Sequence, residues 1–297
     1  MTDTVNGSAL DDRDGVIWLD GRFVPWREAR LHVLTHGLHY GGSVFEGERV
    51  YGGHVFKLAE HTRRLQESAR ELGYRLPFTE AELTEATLEV VRRQGIRDGY
   101  VRPVAWRGSE HIGVAGGDAS VHVAIATWEW PHVFSAEAKE RGIRLGTSRW
   151  RRPAPDTAPV RAKAASLYNI CTLARDEAHR FGYDDALLLD YRGQVAEATG
   201  ANLFLVAGEV LHTPVADCFL AGITRATVLD LAGDLGIPVV ERHVRPEELG
   251  EFDECFLTGT AYEIQPVRAI DQHEYRPGKT TTALMEAYDR LVHQVMA

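Results

Sequence analysis

The stretch "APVRAKAASLYN" (residues 158–169) holds a lysine, and lysine is scarce in this chain. Only four occur, Lys57, Lys139, Lys163 and Lys279, against 29 arginines. Arg161 sits two positions before Lys163, so a need for positive charge alone does not explain the residue at 163. A guanidinium stays protonated and cannot form an imine, whereas a lysine amine in a suitable pocket can lose its proton and attack a carbonyl. Chance and a codon bias toward arginine would also leave an occasional lysine, so the neighbourhood has to decide. Upstream lies a loop with three prolines, Pro153, Pro155 and Pro159. Downstream, "SLYNICTLARDEAHRFG" (166–182) reads as a helix with Ser166 as its N-cap and Gly182 past its end. Lys163 therefore falls between a loop and a helix start.

A chain of 297 residues is long enough for one large or two ordinary domains. Its 44% hydrophobic and 26% charged residues are globular values. The net charge of −10 opposes non-specific binding to nucleic acid or to anionic lipid. A basic run, Arg149-Trp150-Arg151-Arg152, borders the proline loop and reads as solvated. Cys171, Cys218 and Cys255 are odd in number, widely spaced and without a CxxC pair, which suits a reducing compartment. Residues 1–15, "MTDTVNGSALDDRDG", are polar and acidic, lack a signal-peptide pattern and read as a flexible tail. No apolar run approaches the roughly 18 residues that span a bilayer. The expectation is a soluble cytoplasmic protein without nucleic-acid or membrane partners.

Along the chain, "GVIWLDGRFVPW" (15–26) reads as strands around a DG turn, and glycine pairs break the strand-like runs of "THGLHYGGSVFEGERVYGGHVFKL" (35–58). Helices are expected over "AEHTRRLQESARELGY" (59–74) and "FTEAELTEATLEVVRRQGI" (78–96). In the second, Thr79 and Glu82 form a capping box and Gly95 is the stop. "YVRPVAWRG" (100–108) and "SVHVAIATWEW" (120–130) read as strands of an antiparallel sheet. The texture then changes. The pattern predicts a small α+β domain over 16–127, an interdomain loop over 128–137 and a larger α+β domain over 138–297, with a cleft between the domains.

If Lys163 works as an imine-forming amine on pyridoxal phosphate, the sequence should supply an anion cradle, an acid for the pyridine nitrogen and a group for the phenolic oxygen. "LAGITRATVLDLAG" (220–233) offers the free N–H groups of a helix start together with the Thr224 hydroxyl, or else this is an ordinary helix start with Thr224 as its cap, the reading that the local sequence alone favours. "TGTAYE" (258–263) offers Gly259 and Thr260 after a strand. Glu197 in "VAEATGAN" is the candidate acid, or else a solvent-facing strand residue. Tyr168 is the candidate for the phenolic oxygen, or else packing. His32, His36 and His39 with Glu46 nearby form a conceivable metal set, but Gly37, Gly41 and Gly42 oppose the helix it would need, and no metal is expected.

The segments "HGLHYGGSVFEGERVY" (36–51), "FKLAEHTRRL" (56–65), "YVRP" (100–103), "AKAASLYN" (162–169), "EATGANLF" (197–204), "GITR" (222–225) and "TGTA" (258–261) together resemble the branched-chain amino acid aminotransferases. The likeness runs from about residue 16 to residue 270. It implies the two-domain α+β architecture of the fold-type IV pyridoxal-phosphate enzymes (aminotransferase class IV, D-amino acid aminotransferase-like). The implied cofactor is pyridoxal 5'-phosphate and the implied partners are small amino acids and 2-oxo acids. A homo-oligomer, either a dimer or a multiple of dimers, is also implied.

By the same resemblance, Lys163 is the catalytic Schiff-base lysine, and Arg64, Tyr168, Glu197, Ile223, Thr224 and Thr260 hold the cofactor. Tyr100 and the Thr260–Ala261 turn would hold the substrate α-carboxylate, and Arg102 the distal carboxylate of glutamate. Phe45 and Tyr40 would wall the side-chain pocket, with Tyr40 supplied by a neighbouring subunit. The implied reaction is a two-stage transfer between leucine, isoleucine or valine and 2-oxoglutarate, in which the freed lysine moves the Cα proton. Arg161, a like charge, would help to lower the lysine pKa. Two departures bear on substrate: Val133 stands where a tyrosine is expected, and Tyr262 replaces a small residue beside the carboxylate turn. Rival readings are a D-amino acid transaminase, an (R)-selective amine transaminase, an aminodeoxychorismate lyase, a His-dependent metallohydrolase and a non-catalytic binding module.

Overall fold

The Asp20-Gly21 turn has positive φ at both residues (49° and 86°), which closes a two-residue hairpin between β1 (Val16–Leu19) and β2 (Arg22–Pro25). A computed structural model describes residues 9–130 and 133–294 and divides the chain into two compact units. Unit 1 runs to residue 131 and takes back Ala162–Ser166. Unit 2 holds residues 132–161 and Leu167–Gln294. The sequence reading assigns 162–166 to the C-terminal domain, whereas here this short piece, with Lys163 in it, sits with unit 1.

Within unit 1 the hairpin is followed by α1 (His36–His39), β3 (Ser43–Phe45), β4 (Glu48–Tyr51), β5 (His54–Val55), α2 (Leu58–Glu71), α3 (Glu80–Gln94), β6 (Gly99–Arg107) and β7 (Val121–Glu129). The seven strands form one sheet in the order β2-β1-β7-β6-β4-β5, with β3 also on β6. The β6–β7 ladder is its long antiparallel spine, from Gly99↔Glu129 to Arg107↔Val121. One face of the sheet packs Val44, Val50, Val101 and Ala105 against Leu65 and Ala69 of α2 and Leu83, Val90 and Val91 of α3. Burying each larger aliphatic side chain is worth about 1.5–3 kcal/mol, and this face sets the register. The expected capping box is present: Thr79 Oγ1 accepts from Glu82 N at 3.2 Å, and Glu82 Oε2 accepts from Thr79 N at 2.7 Å. Gly95 ends α3 in the left-handed region at φ 65°.

The expected tail is described only from residue 9, and residues 1–8 lie outside the described chain. From there the backbone is tied down: Trp26 Nε1 donates to Leu10 O at 2.7 Å, and Arg27 pairs with Asp12 and Asp14. The expected interdomain loop 128–137 begins inside β7, and its residues 131 and 132 lie outside the description.

Unit 2 opens with α4 (Ala136–Arg141) and β8 (Ile143–Arg152), and the chain re-enters it through α5 (Ala165–Arg180). There follow β9 (Asp185–Asp190), β10 (Val195–Ala198), β11 (Asn202–Ala207), β12 (Val210–Thr213), α6 (Ile223–Asp234), β13 (Val239–Glu241), β14 (Glu254–Gly259), β15 (Glu263–Ile270), β16 (His273–Glu274) and α7 (Lys279–Gln294). Ser166 is the second residue of α5 rather than its cap. The preceding Ala164 is already fixed by a bridge to Val44. Nine strands form a mixed sheet in the order β10-β9-β8-β15-β14-β11-β12-β13, with β16 on β15 and β10 also on β11. Its core holds Leu145, Leu187, Leu203, Leu205, Leu257 and Val267. Cys171, Cys218 and Cys255 are all buried, and none is in a disulfide. Among the described residues no helix is long and apolar enough to cross a membrane.

Candidate active site

Lys163 is held through its backbone before its amine is considered. Its N–H donates to Ser68 Oγ at 3.0 Å, its carbonyl accepts from Phe45 N at 3.1 Å, and Ala164 pairs with Val44. The side chain is thus anchored between α2 and β3, with Nζ 4.8 Å from the centre of the Phe45 ring. The Arg102 guanidinium faces the same ring at 4.9 Å. Although the residue keeps part of its surface open, the dense protein around the amine disfavours the charged form. That desolvation, with Arg64 and then Arg102 as nearby cations, lowers the lysine pKa to about 8 against the opposing pull of Glu46 and Tyr100. Arg161, expected to supply the like charge, is exposed, and Arg64 and Arg102 act in its place.

Arg64 is engaged by a carboxylate that sequence reading did not connect to it. Its Nε and Nη2 donate to Glu46 Oε1 and Oε2 at 2.6 and 2.8 Å, and His61 Nδ1 lies 2.7 Å from Oε2. Glu46 is wholly buried, and its pairing with Arg64 and His61 outweighs the cost of burial, holding it below the usual carboxylate range. Burial keeps the His61 pKa below its ordinary value despite Glu46, so the neutral ring carries its proton on Nδ1 and donates it. Glu48, two residues on, is the opposite case. It is also buried, neither carboxyl oxygen has a hydrogen-bond partner, and burial together with the Glu46 charge pushes its pKa well up.

Tyr100 and Arg102 share one face of β6, as alternate residues of a strand do. Tyr100 is buried edge-on against Trp130, with ring centres 4.5 Å apart, and Arg102 lies 5.5 Å from its ring centre. Gly47 lies against the phenol: a β-carbon there would come 1.8 Å from Tyr100 Oη, so no larger residue fits. Lys163, Phe45, Arg64, Tyr100 and Arg102 therefore belong to one neighbourhood of unit 1. Tyr40 follows α1 at the surface, 44% exposed, with its hydroxyl donating to Ile112 O at 3.2 Å.

In unit 2, Glu197 is buried on β10 rather than solvent-facing. Its Oε1 lies 3.2 Å from Arg152 Nε, a close ion pair without hydrogen-bond alignment, and its Oε2 accepts from Asn202 Nδ2 at 3.3 Å. The same Asn202 accepts from Gly222 N at 3.0 Å, which fixes the entry to α6. Gly222 is the N-cap of α6 and no side chain caps that end. Thr224 is therefore inside the first turn, buried, and not the cap, while Ile223 is half-buried. Uncapped N–H groups and the dipole of a 12-residue helix make this end a receptor for an anion. Tyr168 is half-buried on α5, packed near Cys171 and Ala174. Thr260 and Ala261 form the turn after β14, half-buried. Tyr262 is buried in the core with its hydroxyl on Asp185, so its bulk is not available to narrow a pocket. Val133 is half-buried.

Arg152 is the clearest residue that sequence reading missed. The Arg149–Arg152 run reads as a solvated loop, but it is the end of β8, where Arg149 and Arg151 are exposed and Arg152 is buried beside Glu197. Period-2 alternation in "SRWRR" carried that signal. His61 escaped notice and Glu46 drew attention only as a neighbour of the histidines, because the partnership of Glu46 with His61 and Arg64 is formed by folding across 15–18 residues. His36 Nε2 reaches Val114 O, 78 residues away, at 3.2 Å, and His32 Nδ1 accepts locally from Leu34 N at 3.1 Å.

The model of the amino-transferase class IV family matches residues 43–270. A probable branched-chain-amino-acid aminotransferase of Rickettsia felis is 46% identical over 256 residues, spanning 86% of this chain and 87% of that protein. The crystal structure of the Escherichia coli branched-chain amino acid aminotransferase matches with a TM-score of 0.91 at 39% identity, covering 94% of this chain and 95% of that one. The branched-chain amino acid aminotransferase of Thermobaculum terrenum, crystallised in its PLP-bound holo form, matches with a TM-score of 0.86 at 34% identity over 94% of both chains.

The two neighbouring carboxyls predict opposite mutational effects. Glu46 has its pKa lowered on folding, so it contributes stability above its unfolded value of 4.5 that is lost as the pH falls. Replacing it by Gln should cost about 3 kcal/mol at pH 8 by leaving Arg64 without its counter-charge. Glu48 has its pKa raised, so its contribution is present below 4.5 and is lost as the pH rises toward its folded pKa. Glu48→Gln should therefore raise the Tm at pH 8, by ~3 °C or more, and leave it unchanged near pH 4.5. Thermal unfolding of both variants across pH checks the pair.

Proposed function

The chain belongs to the class IV aminotransferases, and we propose that it transfers the amino group between the L-branched-chain amino acids leucine, isoleucine and valine and 2-oxoglutarate. Class IV aminotransferases depend on pyridoxal 5'-phosphate. That cofactor carries an aldehyde, a basic ring nitrogen and a phosphate, and the residues present suit all three. The uncapped start of α6, with Ile223 and Thr224, suits the phosphate, as do Arg64 and the Thr260 hydroxyl. The carboxylate of Glu197, steadied by Arg152 and Asn202, suits a protonated ring nitrogen, and the Tyr168 hydroxyl suits the phenolic oxygen. Bound there, pyridoxal phosphate supplies a carbonyl that takes an amino group and a ring that accepts electrons from the substrate α-carbon.

The observation that carries this reading is the Lys163 amine, desolvated beside two guanidinium groups with its pKa lowered to about 8. Near neutral pH a useful fraction of it is free base, as nucleophilic attack on a carbonyl requires. With the cofactor bound, its Nζ would serve as base and acid in turn, taking the proton from the substrate α-carbon and returning it to the cofactor's aldehyde-derived carbon on the other side of the transferred nitrogen. Tyr100 and the Thr260–Ala261 turn hold the α-carboxylate common to both substrates. Arg102 pairs with the distal carboxylate of glutamate or 2-oxoglutarate, and the face of Phe45 takes the aliphatic side chain of leucine.

A second copy completes this reading. Leu31, Val33, Leu34, Leu38, Tyr40, Ile112 and Val114 are exposed apolar side chains on one unit. Their two segments are joined by the bonds of Tyr40 to Ile112 O and of His36 to Val114 O. An apolar surface of this kind is usually covered. We assign it to a partner subunit, with Tyr40 contributing to the side-chain pocket next door.

The purified protein loaded with pyridoxal phosphate should be yellow, bleach with L-leucine and remain coloured with a D-amino acid or an (R)-amine. Lys163→Ala should abolish the colour and lower turnover by ~10³-fold or more. Bleaching by the D-amino acid or (R)-amine alone would move the substrate assignment, and a protein that takes up no cofactor would end it. Sedimentation should give a dimer or a multiple of dimers, and Leu38→Asp with Val114→Asp should release monomers. A monomeric parent protein would contradict the assignment of the apolar surface.

A further inference from the structure

Tyr262 is a bulky phenol one residue past the Thr260–Ala261 turn, and its surroundings are those of a brace. Only 5% of it is exposed. Its hydroxyl donates to Asp185 Oδ2 at 2.7 Å, and Arg175 Nη1 donates to the phenol oxygen at 3.3 Å. The other oxygen of Asp185 accepts from Thr199 Oγ1 at 2.5 Å and from Ala186 N at 2.8 Å. The Tyr262 ring lies over Gly200, where a β-carbon would come 3.4 Å from Cε2, and meets Phe134 edge-on at 5.2 Å.

Two turns are thereby bound together. Residues 199–201 follow the strand that carries Glu197, and residues 260–262 carry the proposed carboxylate contact. The approach is close where the second turn begins, since a β-carbon on Gly259, the last residue of β14, would come 3.1 Å from Gly200 O, and Asn202 pairs with Thr258 beside it. The second turn ends in a conformation that an L residue adopts only under constraint: Glu263 has φ 56°, and its carboxylate is paired with Lys139. A strained turn keeps its shape only where its surroundings over-determine it. Burial and the neighbouring Asp185 carboxylate keep the phenol protonated, so it remains a donor across the working pH range.

We infer that Tyr262, through its hydrogen bond to Asp185 and the bond from Thr199 to the same carboxylate, is a positioning residue that holds the Thr260–Ala261 turn in the geometry that receives the substrate carboxylate. This rests on the proposed role of that turn. The Tyr262 phenol touches no substrate and moves no proton; it fixes main-chain N–H groups that do the binding. Both substrates present the same α-carboxylate, so loosening the turn should weaken both by one common factor. A change in pocket shape would instead alter their ratio.

The test is Tyr262→Phe, which keeps the ring and its packing and removes only the hydroxyl, compared with Thr199→Val, which cuts the far end of the same chain of bonds. KM values for leucine and 2-oxoglutarate should both rise by about tenfold, the scale of one lost buried hydrogen bond to a charged partner, with kcat within about twofold. Binding of 4-methylpentanoate, an aliphatic carboxylate without an amino group, measured by calorimetry on the cofactor-loaded protein, should weaken by the same factor. The Tm should fall by no more than a few degrees. Unchanged binding and KM would overturn the inference. So would a loss of kcat and Tm without a loss of carboxylate binding, which marks a core residue and nothing more. If the parent protein binds 4-methylpentanoate and fails to transaminate, the proposed function falls while the binding comparison still judges the brace.

Discussion

A charge placed in the dry interior of a protein must be balanced, and Glu46 is where this molecule balances it. Its carboxylate, wholly enclosed, takes two bonds from Arg64 and one from His61. That arrangement fixes a guanidinium close to Lys163, and Arg102 adds a second. The lysine amine gains too little from Glu46 to offset the loss of water and the two cations, so its proton is held loosely. If the ion pair were dismantled, Arg64 would lose the carboxylate that orients it and the balance around Lys163 would change with it. Buried ion pairs contribute little net stability, and the consequence of this one is chemical.

The two units carry different groups. Unit 1 carries the Lys163 amine and the charges that tune it, anchored on α2, β3 and β6. Unit 2 carries the buried carboxylate of Glu197 and the uncapped start of α6, linked by the single side chain of Asn202, which contacts both. One asparagine thereby ties the orientation of a carboxylate to the position of an anion receptor. Arg152 secures the other oxygen of Glu197 from β8. Glu197 is thus held on both oxygens by neighbouring side chains, the arrangement a carboxylate needs if its geometry is to survive thermal motion.

Much of this was legible in the sequence, and the illegible part has a physical pattern. Lys163 stood out because arginine replaces lysine almost everywhere else, and local signals such as the Thr79–Glu82 capping box and Gly95 read correctly because they depend on residues a few positions apart. Ser166 was misread as a cap and the cap alternative for Thr224 falls away, since a hydroxyl near a helix start gives no measure of where the first turn begins. Arg152 was hidden in a run of exposed arginines whose alternation marks a strand. Glu46 and Glu48, two acids in one short motif, are indistinguishable by spacing. Only the fold gives one of them Arg64 and His61 and leaves the other without a partner. Tyr262 looked like an obstruction because its sequence neighbours form the carboxylate turn, whereas its partner Asp185 is 77 residues away.

Folding makes the Lys163 amine a weak base before any cofactor arrives. With only four lysines in the chain, lysine labelled with carbon-13 at Cε gives a spectrum simple enough to assign with Lys163→Ala. Titration of the cofactor-free protein should show the Lys163 signal moving with a midpoint near 8. A midpoint in the ordinary lysine range near 10.5 would contradict the account.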